Sequence, residues 1–185
     1  MRAILQRVSR AEVRIDGRVA GSITRGLVVL LGVARDDTEA DAAYIADRTL
    51  GLRIFADNVG KMNLSLGAVG GELLVISQFT LLADTESGRR PSFIRAAPPL
   101  EAQRLYEHFV SLVRQRDVKV ETGEFGALME VDLVNEGPVT IILDSRKTLA
   151  VREVEQKHKN DDWNQCYRGI YERPAGRTLF RIQHR

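Results

Sequence analysis

Polar side chains close one of the most apolar runs in the chain. Residues 72–82 read E-L-L-V-I-S-Q-F-T-L-L, a pattern that fits a buried strand until it turns polar at Ser77, Gln78 and Thr80. An isolated S-x-x-T in a strand is ordinarily satisfied on nearby backbone. The same residue types also let a rigid strand end present hydroxyls and free backbone N–H groups to a ligand. Thr80 has the group for a nucleophile, but no base stands beside it in sequence, so a positioning or hydrogen-bonding role suits it better. A second irregularity lies at residues 133–143, L-V-N-E-G-P-V-T-I-I-L, where Pro138 interrupts an otherwise continuous strand pattern. Gly-Pro is a common turn dipeptide, and Asn135 with Glu136 suits a hairpin. Gly137 also permits a close backbone approach to a ligand.

Other chemistries find little support. The three histidines, His108, His158 and His184, have no metal-ligand spacing, and Cys166 is the only cysteine. Gly60-Lys61 lacks both the upstream glycine and the following hydroxyl residue of a phosphate-binding loop. There is no G-x-S-x-G elbow, and His108 falls on the polar side of an amphipathic helix. A lone cysteine, no signal-peptide pattern and no apolar run of the roughly twenty residues a membrane span needs point to a cytoplasmic chain.

The elements that must hold these residues follow from periodicity. Arg2 to Val8 alternates, and residues 12–23 read as a hairpin about Asp16-Gly17. Gly26 to Val33, Arg53 to Ala56 and Leu73 to Phe79 read as further strands, and Thr38 to Leu50 as a helix with Thr38 at its cap. Pro98-Pro99 open a second helix, Leu100 to Arg116, with Ala102, Leu105, Tyr106, Phe109, Leu112 and Val113 on one face. Lys119 to Glu121, Leu128 to Val134 and Val139 to Leu143 complete the strands. The expected fold is α+β: a curled antiparallel-rich sheet or barrel with two helices packed on it.

Residues 1–145 form one domain by this reading, and residues 146–185 a C-terminal extension. The extension holds ten Lys and Arg against five Asp and Glu, so it carries about +5 and the rest of the chain about −3. Basic residues interleaved with Trp163, Tyr167, Tyr171 and Phe180 suit a nucleic-acid surface; packing on the body or a solvated tail suits the sequence equally. Its role is unassigned.

The two signatures together, Ser77-Gln78-Phe79-Thr80-Leu81 and Asn135-Glu136-Gly137-Pro138-Val139-Thr140, resemble those of the D-aminoacyl-tRNA deacylase (D-tyrosyl-tRNA(Tyr) deacylase) family. The resemblance extends through residues 1–8, 60–63, 88–93 and 125–127, and covers roughly residues 1–145. Leu128 departs from it where a polar residue is expected, and Asp132 where a small one is usual. Ser77, Phe79 and Val139 fit the D-specific branch rather than a related branch with a different editing role.

What the resemblance implies is hydrolysis of the ester bond of D-aminoacyl-tRNA, as chiral proofreading of translation, and also of glycyl-tRNA mischarged on tRNA(Ala). It implies a homodimer in which a cis Gly137-Pro138 enters the partner's pocket and reads the substituents on Cα. Arg7 would hold that dipeptide, Met129 and Phe125 would line the pocket beside the terminal adenosine, and Ser77, Gln78, Phe79 and Thr80 would form the catalytic strand end. No metal and no cofactor are implied. An aminoacyl ester is already activated, so positioning and backbone donors supply much of what catalysis requires. The competing expectation is a non-catalytic nucleic-acid-binding dimer that uses the basic tail; a general esterase is a third.

Overall fold

The computed structural model describes residues 1–86 and 88–146, within a compact unit spanning Met1–Lys147. The basic extension, from residue 147 onward, and its aromatic residues lie outside the described residues. In chain order the elements are β1 (Arg2–Ile15), β2 (Arg18–Ile23), β3 (Gly26–Gly32), α1 (Glu39–Gly51), β4 (Phe55–Ala56), β5 (Met62–Leu64), β6 (Glu72–Ser77), α2 (Pro99–Arg114), β7 (Val120–Thr122) and β8 (Glu130–Asp144). Short 3-10 turns occupy Gly67–Val69 and Phe79–Leu82.

The main sheet runs β2-β1-β3-β6-β7, with β8 along the other edge of β1. Strand β1 is antiparallel to β2, β3 and β8, whereas β3–β6 and β6–β7 are parallel. Among the described residues the sheet is therefore mixed, three of its five pairings being antiparallel, as expected, and two parallel, against expectation. The cause lies in the connections: α1 lies between β3 and β6, and α2 between β6 and β7. A parallel pair needs such a long crossover. Strand β2 also packs against β6 and β7, so the sheet curls until it is nearly closed.

Strands β3 and β6 are buried on both faces, which explains their unbroken apolar runs. Leu27, Val29, Leu31, Leu73 and Val75 point to the helices, where they meet Ile45, Leu105, Phe109 and Val113. Val28, Leu74 and Ile76 point into the curl with Val8, Val13 and Ile23. The α1 terminus is capped as its sequence suggests: the Asp41 carboxylate accepts from the Thr38 N–H and hydroxyl, each at 2.8 Å. At the start of β1 the buried Met1 ammonium meets Asp37 at 2.5 Å, and the other Asp37 oxygen accepts from the Ala34 N–H at 2.6 Å. The loop after β3 is thereby fixed.

One strand, β8, replaces the two expected on either side of Pro138. Among the described residues it pairs only with β1, so the donor that proline lacks is not required on its outer edge. Residues 136–139 bulge from the ladder: Gln6 faces Thr140 while Val8 already faces Asn135. Asn135 spans the bulge, its side-chain oxygen accepting from the Val139 N–H at 3.1 Å and its amide donating to the Thr140 hydroxyl at 3.2 Å.

Candidate active site

Strand β6 delivers Ser77 to the C-terminal end of the parallel strands, opposite Leu31 in register. The Gln78 N–H still reaches the Leu31 carbonyl at 2.8 Å, after which the chain tightens into the turn Phe79–Leu82. The first N–H groups of such a turn have no partner within it. Among the described residues, no acceptor stands against the N–H of Phe79 or Thr80. Both residues are exposed, and the Thr80 hydroxyl accepts from the Gln78 side-chain amide at 2.5 Å.

Two distant residues fix this turn. A Cβ at Gly32 would lie 2.5 Å from Leu82 Cδ2 and 2.8 Å from the Gln78 carbonyl, so only glycine lets the turn close on the end of β3. Arg2 donates to the Leu81 carbonyl at 2.7 Å while its other nitrogens hold Asp144 at 3.0 and 3.2 Å. Burial alone would raise the Asp144 carboxyl. Hydrogen bonds from the Arg146 N–H and the Arg2 guanidinium outweigh that and hold it below the ordinary carboxylate range.

A cavity of about 350 Å³ opens beside the turn. Ser77, Gln78 and Phe79 form one wall; Phe125, Tyr106 and Phe93 form much of the rest, with Ala96, Ala97 and Pro99 near the start of α2. Phe93 meets Phe79 edge-on at 5.0 Å between ring centroids, and Phe125 tilts against Tyr106 at 5.9 Å. The Tyr106 hydroxyl donates to the Val75 carbonyl at 2.8 Å, and burial pushes its pKa upward. It therefore anchors the wall and is poorly suited to acid–base work. The space has the aromatic, mostly apolar character of a pocket for a planar group, with the polar side chains of Ser77 and Gln78 on one wall.

The remaining expected residues gather elsewhere. Gly137 and Pro138 are joined by a cis peptide bond on the exposed bulge of β8. Arg7, 4% exposed, lies beneath them: its Nε donates to the Glu136 carbonyl at 3.1 Å, and its Nη1 donates to the Ile54 carbonyl. Met129 packs against the cluster inside the curl, while its neighbour Leu128 is 93% exposed. Within one chain, then, Ser77, Gln78, Phe79 and Phe125 share the cavity. Arg7, Met129, Thr80, Gly137 and Pro138 are not among the residues that line it.

Sequence reasoning missed Phe93, Tyr106, Gly32 and Arg2. Tyr106 was legible only as one member of the apolar stripe of α2, although a tyrosine in such a stripe signals a polar tip needing a partner. Nothing local marks Gly32 or Arg2, since both act through residues far along the chain. Among the described residues, no three His, Cys, Asp or Glu side chains are grouped as metal ligands would be.

Residues 4–144 match the family model described as D-Tyr-tRNA(Tyr) deacylase. The chain belongs to this family. Relatives named D-aminoacyl-tRNA deacylase include one from Anaeromyxobacter dehalogenans, 59% identical over 147 residues, which span 80% of this chain and 99% of that protein. Another, from Desulfatibacillum aliphaticivorans, is 57% identical over 146 residues, 79% of this chain and all of the relative. Among solved structures, a protein titled c-Myc DNA Unwinding Element Binding Protein superposes with a TM-score of 0.74 at 38% identity, covering 78% of this chain and 98% of that one. A structure titled as a probable eukaryotic D-amino acid tRNA deacylase gives 0.68 over 77% of this chain and 98% of its own; at 18% identity it speaks for the fold alone. The deacylase family's match ends where β8 ends, so the extension stands outside it.

Proposed function

We propose that the cavity beside the Phe79–Leu82 turn receives the terminal aminoacyl-adenosine of the substrate, and that backbone N–H groups rather than an acid–base side chain carry the catalysis. As a member of this family the chain hydrolyses the ester bond of D-aminoacyl-tRNA. The observation that supports the site assignment is the pair of N–H groups at Phe79 and Thr80, against which no acceptor stands among the described residues, in a turn whose Phe79 lines the aromatic pocket.

Water adds to the ester carbonyl, and its electron pair shifts to the carbonyl oxygen, where the two donors hold the developing charge. Collapse breaks the bond to the ribose oxygen, which takes the proton released by water and leaves as the tRNA hydroxyl. The adjacent ribose hydroxyl is placed to pass that proton. Ser77 and Gln78 position the substrate, and Gln78 orients the Thr80 hydroxyl.

Chirality is read by the Gly137–Pro138 bulge of a second copy of the chain, with Arg7 fixing the bulge from below and Met129 completing the wall. This reading is supported by two facts: one chain does not bring the bulge to its own cavity, and β8 pairs with no strand along its outer edge among the described residues. A pocket that reads only Cα substituents rejects any L side chain and admits glycine. Glycyl-tRNA on tRNA(Ala) is thus a second substrate. Residues 1–145 form the catalytic unit of a cytoplasmic homodimer, and residues 146–185 are accessory to it.

Release of amino acid from D-tyrosyl-tRNA and L-tyrosyl-tRNA, measured with a chelator present, tests the reading. Hydrolysis of the D-ester alone is expected. The likeness to a protein named for DNA binding favours a nucleic-acid-binding dimer as the second reading. It would prevail if neither ester were cleaved and deletion of residues 146–185 abolished nucleic-acid binding.

A further inference from the structure

The segment between the Phe79–Leu82 turn and α2 carries a feature that ester chemistry does not use. It is tied down at three points. Asp84 and Ser92 exchange backbone hydrogen bonds at 2.8 and 2.9 Å, the Arg35 N–H reaches the Arg95 carbonyl at 3.0 Å, and the Ala97 N–H reaches the Val33 carbonyl at 3.0 Å. Exposed on this scaffold are Arg35, Arg89, Arg90 and Arg95. Among the described residues, only Arg95 of these four has a carboxylate partner, Asp84 at 2.9 Å. Of the other acidic residues nearby, Asp36 is taken by Arg146, leaving Glu86 on the same loop. The patch is basic on balance. It is continuous with the cavity, because Phe93 and Ala96 of the same segment line the wall.

We infer that Arg35, Arg89, Arg90 and Arg95 form the surface that receives the phosphodiester backbone of the tRNA acceptor strand just before its terminal adenosine. This inference rests on the assignment of the cavity above. A strand whose last base sits between Phe93, Phe125 and Tyr106 must leave through the mouth those residues border, and its phosphates then run beside the arginines. Guanidinium groups suit that task, since each fork can hold two phosphate oxygens and reads no base. A surface of this kind would let one enzyme accept tRNAs of any sequence.

The test compares two esters of the same amino acid, D-tyrosyl-tRNA and 3′-D-tyrosyl-adenosine, which lacks phosphates. In an Arg89→Ala/Arg90→Ala variant of the full chain, KM for the tRNA ester rises roughly tenfold with kcat unchanged. The slope of log kcat/KM against log salt shallows by about 1.4, two single-strand contacts' worth. Hydrolysis of the adenosine ester stays at the wild-type rate, which also shows that the variant is folded. Unchanged KM and salt slope with the tRNA ester would overturn the inference while leaving the cavity assignment intact, as would an equal loss on both esters. A wild-type chain inert toward both would sink the assignment itself, and the inference with it.

Discussion

The Arg7 guanidinium lies so close under Gly137 that a Cβ added there would sit 2.7 Å from Nη2. The same guanidinium bonds the carbonyls of Glu136 and Ile54, so one buried cation sets the height of the β8 bulge above the sheet. Arg7→Ala removes both donors from a nearly dry site, and a stability loss of about 2–4 kcal/mol is expected. Urea unfolding measures it, and Arg7→Lys should recover only part. A wild-type midpoint for the alanine variant would show that the bulge stands without its clamp.

Gly137→Ala probes the same contact from the other side. The residue adopts φ +121°, a region L side chains rarely enter, and its Cβ would also meet Val139 Cγ2 at 2.9 Å. Relief of that crowding costs about 1–3 kcal/mol and displaces the bulge. If the bulge of one copy reads Cα in another, the ratio of D- to L-tyrosyl-tRNA hydrolysis falls more than overall turnover does. Equal effects on both esters would remove the bulge from chiral selection.

How far the sequence reveals this arrangement depends on the range of each interaction. Residues 72–82 disclose the strand and its polar end because burial on both faces leaves an unbroken apolar run that stops at Ser77. The two helices are legible from the stripe of α2 and the Thr38–Asp41 cap. Strand direction is not, since a parallel neighbour such as β6 to β3 leaves the same apolar run as an antiparallel one. The unity of β8 is hidden for a different reason. A proline inside a strand reads as a break unless it is known that the strand lies at an edge. Gly32 and Arg2 shape the site through partners about 46 to 142 residues away, and nothing local encodes that.

Backbone and side-chain contributions at the turn can be separated at two adjacent positions. Thr80→Ala removes a hydroxyl whose one bond among the described residues is the one it accepts from Gln78, so turnover of D-tyrosyl-tRNA should stay within about tenfold of wild type. Phe79→Pro deletes an N–H at the first position of the turn, where proline is tolerated. Set against Phe79→Ala, which lacks only the ring, it should lower kcat by a further 10²–10³-fold. Complete loss in a folded Thr80→Ala variant would restore threonine as the nucleophile.

Acid stability should carry the signature of the Arg2–Asp144 pair. The Asp144 carboxyl is held below its ordinary value in the folded chain, so its contribution is full above the unfolded value of about 3.9 and is lost as pH falls through the folded one. Asp144→Asn abolishes that contribution. Because Arg2 is 39% exposed, screening limits the loss at pH 7 to about 1 kcal/mol. The gap between the unfolding free energies of wild type and variant should therefore be constant from pH 7 to about 5 and narrow as the carboxyl protonates. The variant also releases the arginine that holds the Leu81 carbonyl, so kcat at pH 7 should fall along with stability. Asp144 touches neither the cavity wall nor the turn. A gap that stays constant down to pH 2 would mean that the pair contributes nothing that depends on the charge of Asp144.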